Sequence, residues 1–367
     1  MYILQEEELN KNLQLIKRVE TESGVKIILA FKAFAQWKLF PLINKSISTA
    51  TASSLWEAKL CAEEYGNKAH TYSPAYLPNQ MAEILTYSSH ITFNSLDQLR
   101  RYTRQSQEAN VSIGLRVNPH YSDVTTELYN PAASSSRLGV SIDTIKNQMP
   151  AVDGMHFHTL CESDANATCQ LIDTIESKIG DHFGALKWLN FGGGHLITKK
   201  GYDIELLIRR IKKLKSDYPH LTIYLEPGSA VLWETGYLTS SVLDIVESDG
   251  IKTAILDISF TCHMPDTLEM PYRPNIKEGS ADAQTHNHQY RLGGVSCLAG
   301  DYLERYSFPY RLRVGDTLTF LDMMHYTLVK STMFNGVKHP SIGLEKMNGE
   351  IELIKEYTYQ DYRDRMC

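Results

Sequence analysis

Short runs of β-type residues alternate with polar, helical stretches from Lys26 to about Ala230. There are eight such runs, covering residues 26–34, 46–53, 68–74, 90–95, 112–118, 153–160, 188–194 and 222–228. Strands that alternate with helices are typical of parallel α/β folds. Eight of them within about 205 residues predict a (β/α)8 TIM-like barrel.

The pattern changes after Val231, where closely spaced β-type segments such as YLTSSVLDIVE and TAILDISF are separated by Gly and Pro turns. This spacing predicts a second, mainly antiparallel β domain. Near the start, Leu9, Leu13 and Ile16 follow the spacing of an amphipathic helix that leads into the first barrel strand. The fold class is therefore α/β plus β, with a barrel and its N-terminal helix over residues 1–235 and a C-terminal β domain over residues 236–367.

Charge and cysteine usage exclude several classes of function. The formal net charge is −6, and a general nucleic-acid binder would need a basic face instead. The six cysteines form no C-x-x-C pair, which disfavours a zinc site and a disulfide framework. No apolar run reaches the roughly 18 residues that a membrane span needs, and there is no N-terminal signal pattern. We expect a soluble, cytoplasmic protein.

Unusual residues fall at the carboxyl ends of predicted barrel strands, where barrel enzymes place their active sites. Lys32 ends the first run inside the apolar segment ILAFKAFA, so it is either a stem lying along the surface or an amine whose pKa falls through desolvation. Gly192, Gly193 and Gly194 follow the seventh run and form either a flexible loop or a backbone nest for a phosphate. Glu226 closes the eighth run and is either a carboxylate that keeps the nitrogen of a cofactor ring protonated or a partner in a salt bridge.

The sixth run ends in His156-Phe157-His158, and strand alternation directs both imidazoles to the same side. One interpretation is a metal-binding pair, which would need further ligands at other strand ends. The interpretation we prefer has one histidine stacked on a cofactor ring and the other packed or hydrogen-bonded. In the second domain, Cys297 lies in a turn-rich segment that would suit an activated thiol, although an isolated cysteine is more often a buried small residue.

Six segments, taken in order, resemble the fold-type III pyridoxal-phosphate (PLP) decarboxylases. They are FKAFA, HFHTLCE, FGGGH, EPGS, GGVSCLAGD and HYTLVKSTMFNG. This family includes alanine-racemase-like barrels, diaminopimelate decarboxylases and eukaryotic ornithine decarboxylases. Within it, the segments are most similar to those of the carboxynorspermidine (carboxyspermidine) decarboxylases. The resemblance covers most of the chain, and its last two segments are fairly specific.

The resemblance implies PLP as the cofactor and assigns residues to it. Lys32 matches the lysine that holds PLP as a Schiff base, and His158 matches the residue that stacks on its ring. Glu226 matches the partner of the pyridinium nitrogen. The phosphate ligands implied are Gly192, Gly193, Gly194 and Tyr326. Relatives often continue E-P-G with Arg, whereas this chain has Ser229, so the contact made by that Arg is absent or replaced.

The resemblance also implies a substrate side and a partner. Cys297 matches a catalytic cysteine donated by the other subunit of a homodimer with composite active sites, and Asp301 beside it faces the substrate. Asp266 and Glu269 lie in a segment that resembles the substrate-side loop, where an acidic residue could meet a distal amine. The implied reaction is decarboxylation of a carboxylated polyamine, carboxynorspermidine or carboxyspermidine, with Cys297 or a nearby acid protonating the α-carbon.

Three alternatives remain at this stage. The first is a decarboxylase acting on diaminopimelate or another basic amino acid. The second is a metal-dependent barrel hydrolase that uses His156 and His158. The third is a non-catalytic PLP-binding protein, against which the long second domain with Cys297 argues.

Overall fold

The computed structural model describes residues 1–125, 130–270 and 272–367. The strands, in chain order, are β1 (Tyr2–Gln5), β2 (Lys26–Ile27), β3 (Leu29–Ala30), β4 (Ala50–Ala52), β5 (Ala69–Tyr72), β6 (Ser88–Phe93), β7 (Ser112–Asn118), β8 (Val140–Ser141), β9 (Gly154–His156), β10 (Trp188–Asn190), β11 (Thr222–Leu225), β12 (Gly236–Ser248), β13 (Ile251–Leu256), β14 (His288–Gly293), β15 (Tyr302–Phe308), β16 (Thr317–Leu321), β17 (Ile342–Glu345) and β18 (Ile351–Lys355).

The α-helices, in chain order, are α1 (Glu6–Ser23), α2 (Phe40–Ile43), α3 (Leu55–Leu60), α4 (Met81–Tyr87), α5 (Leu96–Glu108), α6 (Ile142–Ile145), α7 (Ala165–Ile179), α8 (Ile204–Asp217), α9 (Ser229–Leu232), α10 (Phe260–His263), α11 (Asp266–Glu269) and α12 (Tyr359–Met366). Short 3₁₀ segments cover Trp37–Leu39, Pro78–Gln80, Gly180–Ala185 and Phe334–Gly336, and a π-helical turn covers Cys61–Tyr65. Among the described residues, no helix is both long and apolar enough to cross a membrane.

Residues 12–231 form one compact unit, a parallel barrel. Its sheet runs in the order β2, β11, β10, β9, β7, β6, β5, β4, β3, with β8 paired to β7 at the side. The halves β2 and β3 are separated by Ile28 alone and count as one strand, so eight strands go round and the sheet returns to its start. Each of the eight predicted runs overlaps one of these strands, which confirms the barrel.

Side-chain caps explain where several barrel helices begin. The helices α3, α5, α7 and α8 each follow a residue whose side-chain oxygen accepts a hydrogen bond from a backbone N–H in the first turn. These capping residues are Ser54, Ser95, Asp164 and Asp203. Ser and Asp are favoured at such positions because they satisfy N–H groups that have no partner inside the helix.

Aromatic rings fill the barrel interior below the carboxyl ends of the strands. A Cβ on Gly114 or Gly154 would lie 2.4 Å or 2.0 Å from atoms of the Trp188 ring, so both positions must stay glycine for this ring to fit. Nearby, the rings of His70 and His90 stack with their centroids 3.8 Å apart. Because this layer is packed, ligand-binding groups can gather only nearer the strand ends.

The second unit comprises residues 1–11 and 232–367 and is built on a mainly antiparallel sheet, as predicted. Its strand order is β15, β14, β13, β12, β1, β17, β18, and β16 also pairs with β12. Among the strands described in this unit, two pairs are parallel, β1 with β17 and β13 with β14.

The boundary between the units differs from the predicted division at residue 235. The N-terminal residues join the β unit because β1 pairs with both β12 and β17. Within this unit, the hydroxyl of the fully buried Tyr2 donates a hydrogen bond to the carbonyl of His263 at 2.5 Å. A run of four residues ahead of a helix shows too little alternation to be recognised as a strand from sequence.

Candidate active site

The amine of Lys32 faces an imidazole at the carboxyl end of the first barrel strand. Lys32 Nζ lies 3.1 Å from Nε2 of His158, which follows β9. Burial lowers the pKa of the Lys32 ammonium, although the Glu226 carboxylate opposes part of that shift. Loss of hydration disfavours the charged form, so the position favours a neutral, nucleophilic amine.

The hydrogen bonds of His158 agree with that protonation state. The Gly193 N–H donates to His158 Nδ1 at 2.9 Å, so Nδ1 carries no proton. Burial, with the neighbouring Lys32, holds the pKa of His158 well below its ordinary value. A neutral ring then has its proton on Nε2, and that N–H can donate to the lone pair of a neutral Lys32 amine.

Glu226 follows β11 and is 7% exposed. The Asn190 amide donates to Glu226 Oε1 at 2.7 Å, and Asn190 Oδ1 accepts the Gly192 N–H at 2.8 Å. Burial alone would raise the pKa of this carboxyl, but the neighbouring imidazole of His156 opposes burial, and the pKa is held well below its usual range. The site therefore holds a buried carboxylate that stays ionised at neutral pH.

His156, His158 and Glu226 also offer ligand atoms that lie within 4.8 Å of one another. His156 Nε2 lies 3.4 Å from Glu226 Oε2. Within the part of the chain that the structure describes, however, neither ring nitrogen of His156 has a hydrogen-bond partner. Two features argue against a metal here, because His158 Nδ1 already accepts the Gly193 N–H and the Lys32 amine occupies the space beside Nε2.

The three consecutive glycines let the backbone pass close to its neighbours. Gly192 and Gly194 have φ values of 69° and 92°, in the left-handed region that favours glycine. A Cβ on Gly193 would lie 2.7 Å from the Glu226 carbonyl oxygen, and one on Gly194 would lie 2.3 Å from the Leu160 carbonyl. The Gly192 N–H donates to Asn190 and the Gly193 N–H donates to His158. The two glycines therefore orient the Asn190 and His158 side chains.

Three residues that sequence reasoning missed also belong to this cluster. Arg116 on β7 is buried, donates to the carbonyl of His158 at 2.8 Å and lies over the Tyr72 ring at 4.6 Å. The other two residues are Tyr72 and Asn190, whose amide donates to Glu226. The signal for Arg116 was present: residues 112, 114, 116 and 118 share one face of the strand, and they are Ser, Gly, Arg and Asn. A polar face on a strand of a parallel barrel indicates a functional interior, since such strands are normally apolar.

The remaining predicted site residues belong to the β unit. Cys297 is exposed and lies in the loop between β14 and β15, where its N–H donates to Asn335 Oδ1 at 2.8 Å. Asp301 ends the same loop, is 3% exposed, and accepts hydrogen bonds from Thr261 and Ser296. Tyr326 has φ +47°, a left-handed backbone conformation.

Asp266 and Glu269 both lie on α11, one helical turn apart, and both pair with the ammonium of Lys330. The Lys330 side chain is 33% exposed and that of Glu269 is 49% exposed. The acidic pair therefore already has one counter-ion from its own chain. A cation that binds there would share the carboxylates with Lys330.

Known proteins resemble the chain over its whole length. A family profile described as the C-terminal sheet domain of pyridoxal-dependent decarboxylases matches residues 84–324. Carboxyaminopropylagmatine decarboxylase from Synechocystis sp. is 47% identical over 366 residues, which covers 100% of this chain and 94% of that protein. Carboxynorspermidine/carboxyspermidine decarboxylase from Campylobacter jejuni is 42% identical, covering 98% of this chain and 96% of that one.

Solved structures agree with these relatives. The crystal structure of carboxynorspermidine decarboxylase from Campylobacter jejuni, complexed with norspermidine, superposes with a TM-score of 0.90 at 40% identity, covering 100% of this chain and 99% of that one. Diaminopimelate decarboxylase from Helicobacter pylori gives a TM-score of 0.82 at 16% identity, a likeness of fold alone. The profile match and the full-length relatives lead to one conclusion: the chain belongs to the pyridoxal-dependent decarboxylases.

Proposed function

We propose that this protein binds PLP on Lys32 and decarboxylates carboxynorspermidine or carboxyspermidine to the corresponding triamine. The observation that carries the proposal is the cluster of Lys32, His158 and Glu226 at the strand ends of a barrel whose relatives are decarboxylases of carboxylated polyamines. A second candidate substrate is carboxyaminopropylagmatine, which the 47% identical relative from Synechocystis sp. favours.

The donor set of the barrel suits PLP group by group. The neutral amine of Lys32 suits an aldehyde, and the ionised carboxylate of Glu226 suits a protonated ring nitrogen. The imidazole of His158 is oriented by the Gly193 N–H through Nδ1, and a fixed aromatic ring suits stacking on a cofactor ring. The two ring nitrogens of the buried His156 make no hydrogen bond to any described residue, so a bound ligand could satisfy them.

The reaction breaks the bond between the α-carbon and the carboxylate, releases carbon dioxide and adds one proton to the α-carbon. When bound, PLP would supply the electron sink for the pair left on that carbon. Glu226 would keep a proton at the ring nitrogen, and Asn190 holds Glu226 in place. Lys32, as a neutral amine, would be the residue that holds the cofactor covalently.

The proton donor in this proposal is Cys297, supplied by the β unit of a second copy of the chain. Its exposed position in a loop suits a thiol that acts outside its own unit. Tyr326 and the glycine loop would hold the phosphate, the loop through the Gly194 N–H because those of Gly192 and Gly193 already donate to Asn190 and His158. The Ser229 hydroxyl lies where relatives often carry a charged Arg. The active unit is then a homodimer whose two sites each draw on both chains.

The acidic residues of the β unit supply the substrate preference. Asp266 and Glu269 together offer two carboxylates against the single Lys330 ammonium, so the group keeps a negative charge for an amine of the substrate. A hydrogen bond to a charged group contributes roughly 1.5 to 3 kcal/mol when it is buried, and about 0.2 to 1 kcal/mol when it is exposed, as at Glu269. This favours a polycationic substrate over diaminopimelate, whose distal end also carries a carboxylate.

Substrate preference can be measured directly. We expect kcat/KM to be higher for carboxynorspermidine and carboxyspermidine than for diaminopimelate, with carboxyaminopropylagmatine assayed beside them. Carbon dioxide release and the uptake of one proton per turnover give two independent readouts. A higher kcat/KM for diaminopimelate would reject the polyamine assignment, and a higher value for carboxyaminopropylagmatine would select the second candidate.

Glu226→Gln should keep the shape of the site and remove its negative charge. We expect kcat to fall on the order of 10²-fold or more, as it does when one electrostatic stabiliser is removed. The matched control is Glu64→Gln, at an exposed position on the barrel surface, for which we expect unchanged turnover. Near-normal turnover by Glu226→Gln, with PLP bound, would remove this carboxylate from the mechanism.

A further inference from the structure

The loop that carries Cys297 connects two antiparallel strands, β14 and β15, and spans residues 294–301. Val295 and Leu298 in this loop are 40% and 46% exposed, so side-chain burial contributes little to its conformation. Polar contacts must therefore determine where Cys297 lies.

The first of these contacts comes from Asp301, at the end of the loop. Its Oδ2 accepts hydrogen bonds from the Ser296 hydroxyl at 2.6 Å and the Ser296 N–H at 3.2 Å, while its Oδ1 accepts the Thr261 N–H at 2.9 Å. The carboxylate is nearly fully buried, and a Cβ on Gly294 would lie 2.2 Å from it. One carboxylate oxygen of Asp301 thus binds Ser296, the residue next to Cys297, and the other binds the first turn of α10.

The second contact comes from Asn335. Its Oδ1 accepts the Cys297 N–H at 2.8 Å, and its backbone has φ +58°, a left-handed conformation that asparagine tolerates better than most residues. The segment that carries Asn335 is itself attached to α10, because the Thr332 N–H donates to the Cys262 carbonyl at 2.8 Å and Cys262 Sγ lies 3.5 Å from the Phe334 carbonyl oxygen.

Helix α10 is therefore a common anchor for Asp301 and for the segment that carries Asn335. The same helix leads directly into α11, which carries Asp266 and Glu269. Lys330, which pairs with both acids, precedes the Thr332–Asn335 segment. The Cys297 loop and the acidic pair are thereby held to one another by hydrogen bonds and ion pairs within the β unit.

We propose that Asp301 and Asn335 are positioning residues, which hold the Cys297 backbone in a fixed relation to α10 and α11, and that Asp301 does not bind the substrate. This inference rests on the proposed role of Cys297 as proton donor. A carboxylate that already accepts three hydrogen bonds inside its own unit is a poor ligand for an incoming ammonium.

A double-mutant cycle tests whether Asn335 acts through Cys297. In the wild-type background, Asn335→Ala should lower kcat about 10- to 100-fold with little change in KM, because a small misplacement of a reacting group is costly. In the Cys297→Ala background the same change should cost almost nothing, since no thiol remains to be positioned. Asn335→Asp keeps an acceptor oxygen and should recover most of the loss. An equal penalty in both backgrounds would overturn the proposal.

A second measurement needs no turnover and no substrate. Hydrogen exchange of the Cys297 amide should become faster in Asn335→Ala and return to protection in Asn335→Asp. Exchange of the Ser296 amide should become faster in Asp301→Ala. Unchanged exchange would show that these contacts do not hold the loop. Wild-type turnover on carboxynorspermidine tests the proposed function separately, so the failure of one idea is distinguishable from the failure of the other.

Asp301 has its own discriminating readout. As a positioning residue, Asp301→Asn should lower kcat for carboxynorspermidine and diaminopimelate by the same factor. If Asp301 instead bound an amine of the substrate, KM would rise, most for the polycationic carboxynorspermidine, and the positioning role would be rejected. The melting temperature of each variant identifies any that fails to fold, and for such a variant the Asn335 cycle still decides.

Discussion

Lys32→Ala should abolish covalent cofactor binding and lower kcat on the order of 10⁴-fold or more, as the loss of a nucleophile that acts within a catalytic cluster does. The amine lies 3.1 Å from His158 in a position where burial lowers its pKa. Borohydride reduction of the wild-type holoenzyme, followed by peptide mapping, should find the cofactor on Lys32. The matched control is Lys26→Ala, an exposed lysine on the same barrel strand. An adduct on another lysine would disprove the assignment.

The lowered pKa of Lys32 gives the same prediction a pH dependence. Only the neutral amine attacks an aldehyde, so the rate at which the apoprotein captures PLP should rise with pH as the ammonium loses its proton. Because burial lowers the pKa, the rise should be complete at a lower pH than for a free lysine in a peptide. A rise that follows the free lysine would contradict the neutral-amine interpretation of the Lys32–His158 contact.

Mixing Lys32→Ala protein with Cys297→Ala protein should restore activity that neither variant has alone. Each change should cost its own homodimer roughly 10²-fold or more in kcat. If every site combines the barrel of one chain with the Cys297 loop of the other, a hybrid dimer has one site with both lesions and one with neither. Subunit exchange makes about half of the dimers hybrid, so about a quarter of wild-type activity should return.

A second mixture serves as the control for this experiment. Lys32→Ala and Glu226→Gln both change the barrel unit, so every site of their hybrid keeps one lesion and activity should not return. If the first mixture also stays inactive although subunit exchange is demonstrated, Cys297 either acts within its own chain or has no catalytic role. In both cases the composite-site proposal fails.

The sequence alone predicted the order of the strands and helices. It also predicted which residues at the barrel strand ends are candidates for the site. The alternation of β-type and helical stretches is a local property. A strand or a helix can be predicted from the spacing of apolar residues within a short segment. Lys32, Glu226 and the glycines were visible for a similar reason. A charged or flexible residue at the end of an apolar run is unusual, and in a parallel barrel all strand ends lie at the same edge.

Contacts between residues distant in sequence were decided only by the tertiary structure. β1 joins the β unit by pairing with β12 and β17, which lie more than 200 residues further along the chain. Four residues carry too weak a local signal to predict these partners. Likewise, the sequence places Asp301 beside Cys297, but only folding brings its oxygens to Ser296 and Thr261. Whether a buried carboxylate serves the protein or a substrate depends on which donors surround it, and those donors are set by packing in three dimensions.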